Sequence, residues 1–211
     1  MSNLIIRDVL PEDVLSIKSA IDNVWCFSEL VSTQSHLNAV IGLYLNQVLL
    51  HATFGRVALI DNEVVGVIFG STATSKPNYR HLLEDTTELA ICLLTAGVVE
   101  QQGIYEYFSK QRSVYNRLSA KWANQFDGCL DFLILTPAAQ GKGVGKKLWH
   151  ALKDYFTTTE TKRIYLYSDT GCNTGFYDHN GFKKIAEETV DYNYDGHIES
   201  ITNYLYQIDI T

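Results

Sequence analysis

The spacing of hydrophobic and polar residues predicts a β-α-α-β-β order in the first part of the chain. A strand is predicted from Asn3 to Arg7, followed by a helix that begins at Pro11 and has apolar positions three and four apart. A second helix is predicted between Ser28 and Leu50. The stretch RVALIDNEVVGVIFG contains two β-branched runs separated by Asp61-Asn62, a pattern that predicts a hairpin.

The middle of the chain, from about Tyr79 to Asn124, has no strand-like alternation. It contains LLEDTTELAICLL and IYEYFSKQRSVYNRLSAKWA, both consistent with helices, so we interpret the region as a helical insertion. Its most apolar part, Leu89 to Val99, is about half the ~20 residues that are needed to span a bilayer. A buried helix is therefore predicted there, and the role of the insertion stays open.

Strand patterns return after the insertion. A strand is predicted from Cys129 to Leu135, followed by a glycine-rich turn, a helix with one apolar stripe, and a strand from Arg163 to Tyr167. The short stretch NTGFYDHN predicts a helix that stops at Gly181, placed as a C-cap glycine. Residues Lys184 to Ile210 predict a two-stranded element that turns at Asp195-Gly196.

Composition limits the class of protein. A chain of 211 residues with 46% hydrophobic content and three prolines can bury a full core, so one domain over residues 1–211 is expected. The net charge of −7 disfavours nucleic-acid and anionic-membrane partners. The four cysteines are widely separated and no histidine cluster is present, so neither a metal site nor a disulfide framework is predicted. Without a signal-peptide pattern, these features predict a cytoplasmic protein.

The stretch LDFLILTPAAQGKGVGKKLWHAL is a candidate phosphate site. A strand that ends in a glycine-rich turn and opens a helix directs free backbone amides and the positive helix end at one point. The glycines leave room for a ligand, and the lysines either add positive charge or lie solvated on the helix. The residues are Gly141, Gly143 and Gly145, and Lys142, Lys146 and Lys147.

Two phosphate-binding motifs can be compared with this turn. A P-loop is excluded, because Lys147 stands where that motif requires serine or threonine. A dinucleotide fingerprint fits poorly, because the glycines run G-x-G-x-G and do not follow the strand directly. Asp169, at the end of the next strand, resembles the ribose-binding acid of such proteins. A nucleotide-binding oxidoreductase therefore stays open as a remote alternative.

The turn from Gln140 to Gly145, with the form Q-x-x-G-x-G, resembles the acetyl-CoA motif of the GCN5-related N-acetyltransferases (GNAT). Downstream, GFYDHNGF resembles the short family helix that ends in F-Y-x-x-x-G-F. The resemblance implies a single α/β domain whose mixed, mostly antiparallel sheet has about seven strands flanked by helices. Residues of about 129–182 would bind acetyl-CoA, with the helical insertion preceding the cofactor-binding strand.

The resemblance also implies the residues that bind the cofactor. Backbone amides of the turn hold the pyrophosphate, and the preceding strand, splayed from its neighbour by a bulge, pairs with the pantetheine arm. Many members carry an asparagine seven residues before the tyrosine, where this chain has Thr170; Asn173 lies four before it, and a helix N-cap is its alternative role. The implied set is Leu133, Leu135, Gln140, Gly141, Lys142, Gly143, Val144, Gly145, Lys146 and Asn173.

Acetyl transfer to an amine requires a proton acceptor, an oxyanion donor and a donor for the leaving thiolate. Tyr177 matches the family tyrosine that faces the sulfur, so the resemblance implies a general acid there; core packing is the alternative. Asp131 is unexpected on a buried strand unless it is paired or functional, which makes it a candidate base. Pairing with a lysine or a backbone amide, or a water-relayed proton, are its alternatives. A backbone amide near Leu133 is the candidate oxyanion donor.

The resemblance implies that the acceptor is a primary amine of a small molecule or a peptide, and the final hairpin offers one indication of its charge. Residues 185–211 contain six acidic residues, four tyrosines and no lysine or arginine, so they would attract a cationic amine or form an ordinary solvated face. Among relatives paired subunits are common, which makes a homodimer possible. A catalytically silent acyl-CoA-binding module is the alternative to an acetyltransferase.

Overall fold

A computed structural model of the chain describes residues 4–122, 124–194 and 197–210. Within them the strands are β1 (Leu4–Asp8), β2 (Phe54–Ile60), β3 (Glu63–Thr72), β4 (Gly128–Leu135), β5 (Arg163–Asp169), β6 (Lys183–Tyr194) and β7 (His197–Asp209). The helices are α1 (Val14–Trp25), α2 (Gln34–Leu49), α3 (Thr86–Leu94), α4 (Val98–Ser119), α5 (Val144–Thr158) and α6 (Thr174–His179). The strands form one sheet in the order β1-β2-β3-β4-β5-β7-β6, antiparallel except for the β4–β5 pair. This confirms the predicted α/β fold.

Local turn chemistry agrees with the predicted element boundaries. Asp61 and Asn62 join β2 to β3 with φ of 53° and 68°, as a tight hairpin turn requires. Pro11 opens a single 3₁₀ turn that leads directly into α1. The predicted turn of the last hairpin, Asp195-Gly196, lies outside the described residues.

Helices cover both faces of the sheet. Because side chains alternate along a strand, Val67 faces the layer that contains α1 and α2, whereas Ile68 faces α5. The apolar stripe of α5 includes Leu148, Leu152 and Phe156, all fully buried against the second face. This packing fixes the start of α5 relative to the end of β4, where the glycine-rich turn lies.

The prediction of a buried helix over Leu89 to Val99 is wrong. Helix α3 ends at Leu94 and α4 begins at Val98, and none of the residues of α3 is buried. The side chains of Leu94, Val98 and Val99 are 72%, 71% and 75% exposed. The α1 and α2 layer already covers the nearby sheet face, and the extended backbone at Gly97 separates the two helices, so that α4 runs toward β6 and β7. None of the helices in the described ranges is long and apolar enough to span a membrane.

The insertion is helical, as predicted, but its ends belong to other parts of the structure. Tyr79 is buried in the main core, and its hydroxyl donates to the Asp8 carboxylate over 2.8 Å. At the other end, Val114 and Leu118 of α4 pack against Leu205 of β7. The insertion therefore extends from the core beside β1 and β2 to the sheet face formed by β7 and β6.

Candidate active site

Strands β4 and β5 separate from each other after two residues. They pair only through Gly128 and Cys129, although β4 continues to Leu135. On its other side β4 stays paired with β3, but the register skips Asp131, which is therefore the extra residue of a β-bulge. A bulge bends the strand that contains it. The edge of β4 that faces β5 beyond Cys129 has no strand partner, which matches the splay that the resemblance implies.

The glycine-rich turn exposes donors at the start of α5. Gly141 and Gly143 have φ of 70° and 67°, and no atom lies within 4 Å of a Cβ built at either position. Gly143 is the N-cap of α5, so the first amides of the helix have no intrahelical acceptor. The turn can therefore accept an anionic group from the solvent side.

Gly145 lies at a close packing contact. A Cβ at this position would lie 2.9 Å from Leu135 Cδ1 and 3.3 Å from Phe176 Cε2. A glycine is therefore needed here for α5 to pack on β4 and α6, and the predicted contact of Gly145 with the cofactor stays a prediction. Lys142 and Lys146 are exposed. Either role predicted for them, adding positive charge for a ligand or lying solvated on the surface, therefore stays open.

Helix α6 positions Tyr177. Gly181 has φ of 85° and ends the helix, with Gly181 N donating to Asp178 O and Phe182 N to Tyr177 O over 3.1 Å each. Burial, reinforced by Cys172 and Asp169, raises the pKa of Tyr177 well above its usual value. Its hydroxyl makes no hydrogen bond to any residue in the described parts of the chain. Tyr177 thus stays protonated and can donate into the neighbouring cavity.

Asn173 stands at the N-cap position of α6, but its side chain makes no capping hydrogen bond and is exposed. The alternative role of helix N-cap is therefore confirmed for its position, but not for a side-chain hydrogen bond. Its contact with pantetheine stays a prediction.

Asp131 is half-buried, and its carboxylate has no cationic partner among the described residues. Its Oδ1 accepts a hydrogen bond from Ser71 Oγ over 3.1 Å, whereas its buried Oδ2 has no partner there. Burial raises the pKa of Asp131 to about 6, opposed by the hydrogen bonds from Ser71 and Cys129. The predicted pairing with a lysine or a backbone amide is absent from this part of the structure, which leaves a carboxylate that can exchange a proton near neutral pH.

Two cavities meet at Asp131. The smaller, of about 210 Å³, reaches Tyr177, Cys172 and Leu133 between the splayed strands. The larger, of about 1220 Å³, lies between α2, α4 and β5. They share the lining residues Tyr44, Gln111, Tyr115, Asp131, Tyr165 and Tyr167. A group bound in one cavity can therefore approach a group bound in the other at this junction.

Helix α4 forms one wall of the larger cavity, a role that the sequence did not reveal. The rings of Tyr115 and Tyr167 stack with centroids 4.0 Å apart and planes 4° apart, and the Tyr167 hydroxyl donates to Tyr115 O over 3.0 Å. These contacts fix α4 against β5. The tyrosines and phenylalanines of IYEYFSKQRSVY were a visible signal, but no local pattern indicates that they would face β5.

The carboxylates of the final hairpin do not line either of these cavities. Glu188 pairs with Arg117 over 2.5 Å, and Glu187 and Asp209 pair with Lys184 and Arg163 over 2.6 Å each. The described part of the hairpin therefore resembles the ion-paired, solvated face that was its alternative interpretation.

The sheet excludes a dinucleotide-binding domain of the Rossmann type. That fold requires a mostly parallel sheet, whereas only β4 and β5 are parallel among the strand pairs described. Asp169 Oδ1 accepts a hydrogen bond from Gly171 N over 2.8 Å within its own turn. The described residues contain no group of three or more possible metal ligands, and all four cysteines are free thiols.

Residues 101–196 match the family model described as an acetyltransferase (GNAT) domain. No curated protein matches the sequence. Three solved structures share the fold. An N-acetyltransferase from Staphylococcus aureus Mu50 is 11% identical with a TM-score of 0.55, covering 100% of both chains. The ribosomal-protein-S18-alanine N-acetyltransferase from Escherichia coli is 9% identical with a TM-score of 0.56, covering 99% of this chain and 95% of the other. The Drosophila melanogaster polyamine N acetyltransferase is 11% identical with a TM-score of 0.52, covering 96% and 99%.

Proposed function

We propose that this chain, which matches a GNAT acetyltransferase domain over residues 101–196 and shares the fold of N-acetyltransferases, moves an acetyl group from acetyl-CoA to a primary amine while both substrates are bound. The observation that carries the proposal is that Asp131 lines both cavities, the one between the splayed strands and the one under α4. Donor and acceptor would meet at a carboxylate whose pKa of about 6 suits a base. Relatives of the same fold are named for an alanine of a ribosomal protein and for polyamines, which supports an amine as the acceptor class.

The residues of the donor side fit acetyl-CoA. The free amides from Gly143 to Lys146 and the positive end of α5 would hold the pyrophosphate. The unpaired edge of β4 at Leu133 and Leu135 would pair with the pantetheine arm, and an amide near Leu133 would donate to the developing oxyanion. Bound there, acetyl-CoA supplies the acetyl group and the thiolate leaving group.

Two side chains would handle the protons. Asp131 is mostly ionised at neutral pH and would take the proton that the attacking amine must lose. Tyr177 keeps its proton, because its pKa is raised, and would donate a hydrogen bond to the sulfur. With a pKa above that of a thiol, it would stabilise the thiolate by the hydrogen bond more than by complete proton transfer.

The Tyr177→Phe variant is expected to lower kcat by about an order of magnitude or more and to leave coenzyme A affinity unchanged. Phenylalanine preserves the packing against Phe182 and Tyr206, whose ring centroids both lie 5.7 Å away, so the variant removes only the hydroxyl. Steady-state kinetics and calorimetric titration with coenzyme A measure the two effects. Tyr155→Phe, a tyrosine on α5 that lines neither cavity, is the control. Unchanged turnover in Tyr177→Phe would leave Tyr177 with a packing role alone.

The proposed function is tested by incubating the purified protein with acetyl-CoA and a panel of primary amines. Thiol release is followed with a disulfide reagent, and the acetylated product is identified by mass spectrometry. We expect release above background hydrolysis for at least one amine, with a mass increase of one acetyl group on that amine. Tight coenzyme A binding without transfer to any amine would instead indicate a silent acyl-CoA-binding module.

Cellular location and assembly are also proposals. The four free thiols support a reducing compartment, and we propose the cytoplasm. A homodimer stays a prediction, to be tested by light scattering of the purified protein. The net charge of −7 supports the expectation that neither nucleic acid nor an anionic membrane is a partner.

A further inference from the structure

The larger cavity has an uneven distribution of charge. Among the described residues that line it, Asp131 is the only carboxylate and Arg112 the only permanently charged cation; His51 is the only other titratable group besides tyrosines. The remaining polar groups are amides and hydroxyls, such as those of Gln47, Gln111 and Asn116. A ligand with several positive charges would find no second carboxylate here.

Arg112 differs from the other basic residues of α4. Lys110 forms an ion pair with Glu106 and donates to Asp191 O over 2.9 Å, and Arg117 donates hydrogen bonds from Nε and Nη2 to the Glu188 carboxylate. Arg112 is exposed and has neither an ion pair nor a hydrogen bond within the described ranges. In a chain of net charge −7, a guanidinium left without a carboxylate at the wall of a cavity is available to a ligand.

The position of Arg112 on α4 sets its distance from the junction of the cavities. Tyr115, which lines both cavities, follows three residues later, so the two side chains lie on the same side of the helix. The rise between them is about 4.5 Å. Arg112 and Asp131 line the same cavity, so a ligand that occupies it can contact Arg112 with one end while the other end lies near Asp131.

We propose that the acceptor is an amine that also carries a carboxylate, such as an α-amino acid, and that Arg112 binds this carboxylate. The inference rests on the proposed function and narrows its acceptor class. A guanidinium binds a carboxylate through two parallel hydrogen bonds, and the tyrosine-rich wall can pack against an apolar or aromatic side chain. For a polyamine, the distal ammonium would lie near the guanidinium and would have no carboxylate to pair with.

The test compares acceptors that differ only in the carboxylate. Phenylalanine, phenylalanine amide and phenethylamine form the matched set, assayed together with the other common amino acids and their amides, and with spermidine. Among these acceptors we expect the highest kcat/KM for an amino acid, about 10-fold or more above its own amide. Arg112→Gln is expected to raise KM for that amino acid about 10-fold or more, with little change in kcat and no change in KM for the amide.

Arg117→Gln is the matched control, because this arginine lies on the same helix but binds Glu188 and lines neither of the cavities that meet at Asp131. It is expected to leave KM for every acceptor within about twofold. The inference fails if kcat/KM for spermidine, the amides or phenethylamine equals that for the amino acids, or if Arg112→Gln leaves KM unchanged. In either case the proposed function stands. If none of these acceptors is acetylated, the inference fails as well, and the wider amine panel decides whether the proposed function stands.

Discussion

Asp131→Asn is expected to lower kcat/KM at neutral pH by about 10²–10⁴-fold, because asparagine has no basic oxygen to take the proton from the attacking amine. In the unsubstituted protein, kcat/KM is expected to rise with pH through about 6, as Asp131 loses its proton. The variant should lack this acid limb. Measuring kcat/KM for one amine between pH 5 and 8 tests both statements.

The same substitution is expected to stabilise the folded chain. The pKa of Asp131 is raised by burial from 3.8 to about 6, so the folded state binds a proton more tightly than the unfolded state between these values. The free energy of unfolding therefore falls as pH rises through this interval. Above it, the full cost of burying the ionised carboxylate is present. At pH 7 the variant should be more stable by on the order of 1–3 kcal/mol, and the difference should vanish below about pH 4. Denaturant unfolding at the two pH values measures it.

Ser71→Ala provides the control for Asp131. Its hydroxyl donates to Oδ1 and favours the ionised form, so its removal should move the acid limb to higher pH without abolishing turnover. An Asp131→Asn enzyme that retains both normal turnover and the acid limb would contradict the assignment of the base. In that case a water-relayed proton would be the remaining explanation.

Gly143→Val is expected to weaken acetyl-CoA binding by about 10–100-fold. A branched side chain at φ of 67° is strained by about 1–2 kcal/mol, and it would project over the amides that are proposed to hold the pyrophosphate. Apart from its neighbours in the chain, no described residue lies within 4 Å of a Cβ at this position, so the added bulk meets the ligand and not the core. Calorimetric titration with coenzyme A measures the change.

Two further variants separate strain from obstruction. Gly143→Asn tolerates a positive φ, so it should fold almost as stably as the original protein and still bind coenzyme A weakly. Gly103→Ala, inside α4 where a Cβ meets nothing, should keep full affinity and gain about 0.5–1 kcal/mol in stability. Normal affinity in both Gly143 variants would show that the cofactor lies elsewhere.

Sequence patterns predicted those parts of the fold that short segments determine. The hairpin turn at Asp61-Asn62 and the helix end at Gly181 depend on backbone conformations that few residue types adopt easily. The start of α5 likewise depends on the positive φ of Gly143, a conformation that few residue types adopt easily. The outline of the donor side therefore followed from local chemistry and from the resemblance.

The acceptor side depends on contacts between distant segments and was not predictable in the same way. The bulge at Asp131 is defined only by the register of β4 against β3, and the placement of α4 depends on the stack of Tyr115 on Tyr167. The error over Leu89 to Val99 has a related cause. Hydrophobic composition indicates that a segment can be buried, but not that a sheet face is left for it to cover.

The bulge in β4 has a consequence for how this site could change. One additional residue in the strand both provides the carboxylate and bends the backbone away from β5. Point substitutions at Asp131 can alter the chemistry but leave the gap, whereas loss of the residue would remove both at once. We therefore expect the proposed proton acceptor and the slot beside it to be lost or kept together, whereas substitutions on α4 can change the wall of the larger cavity alone.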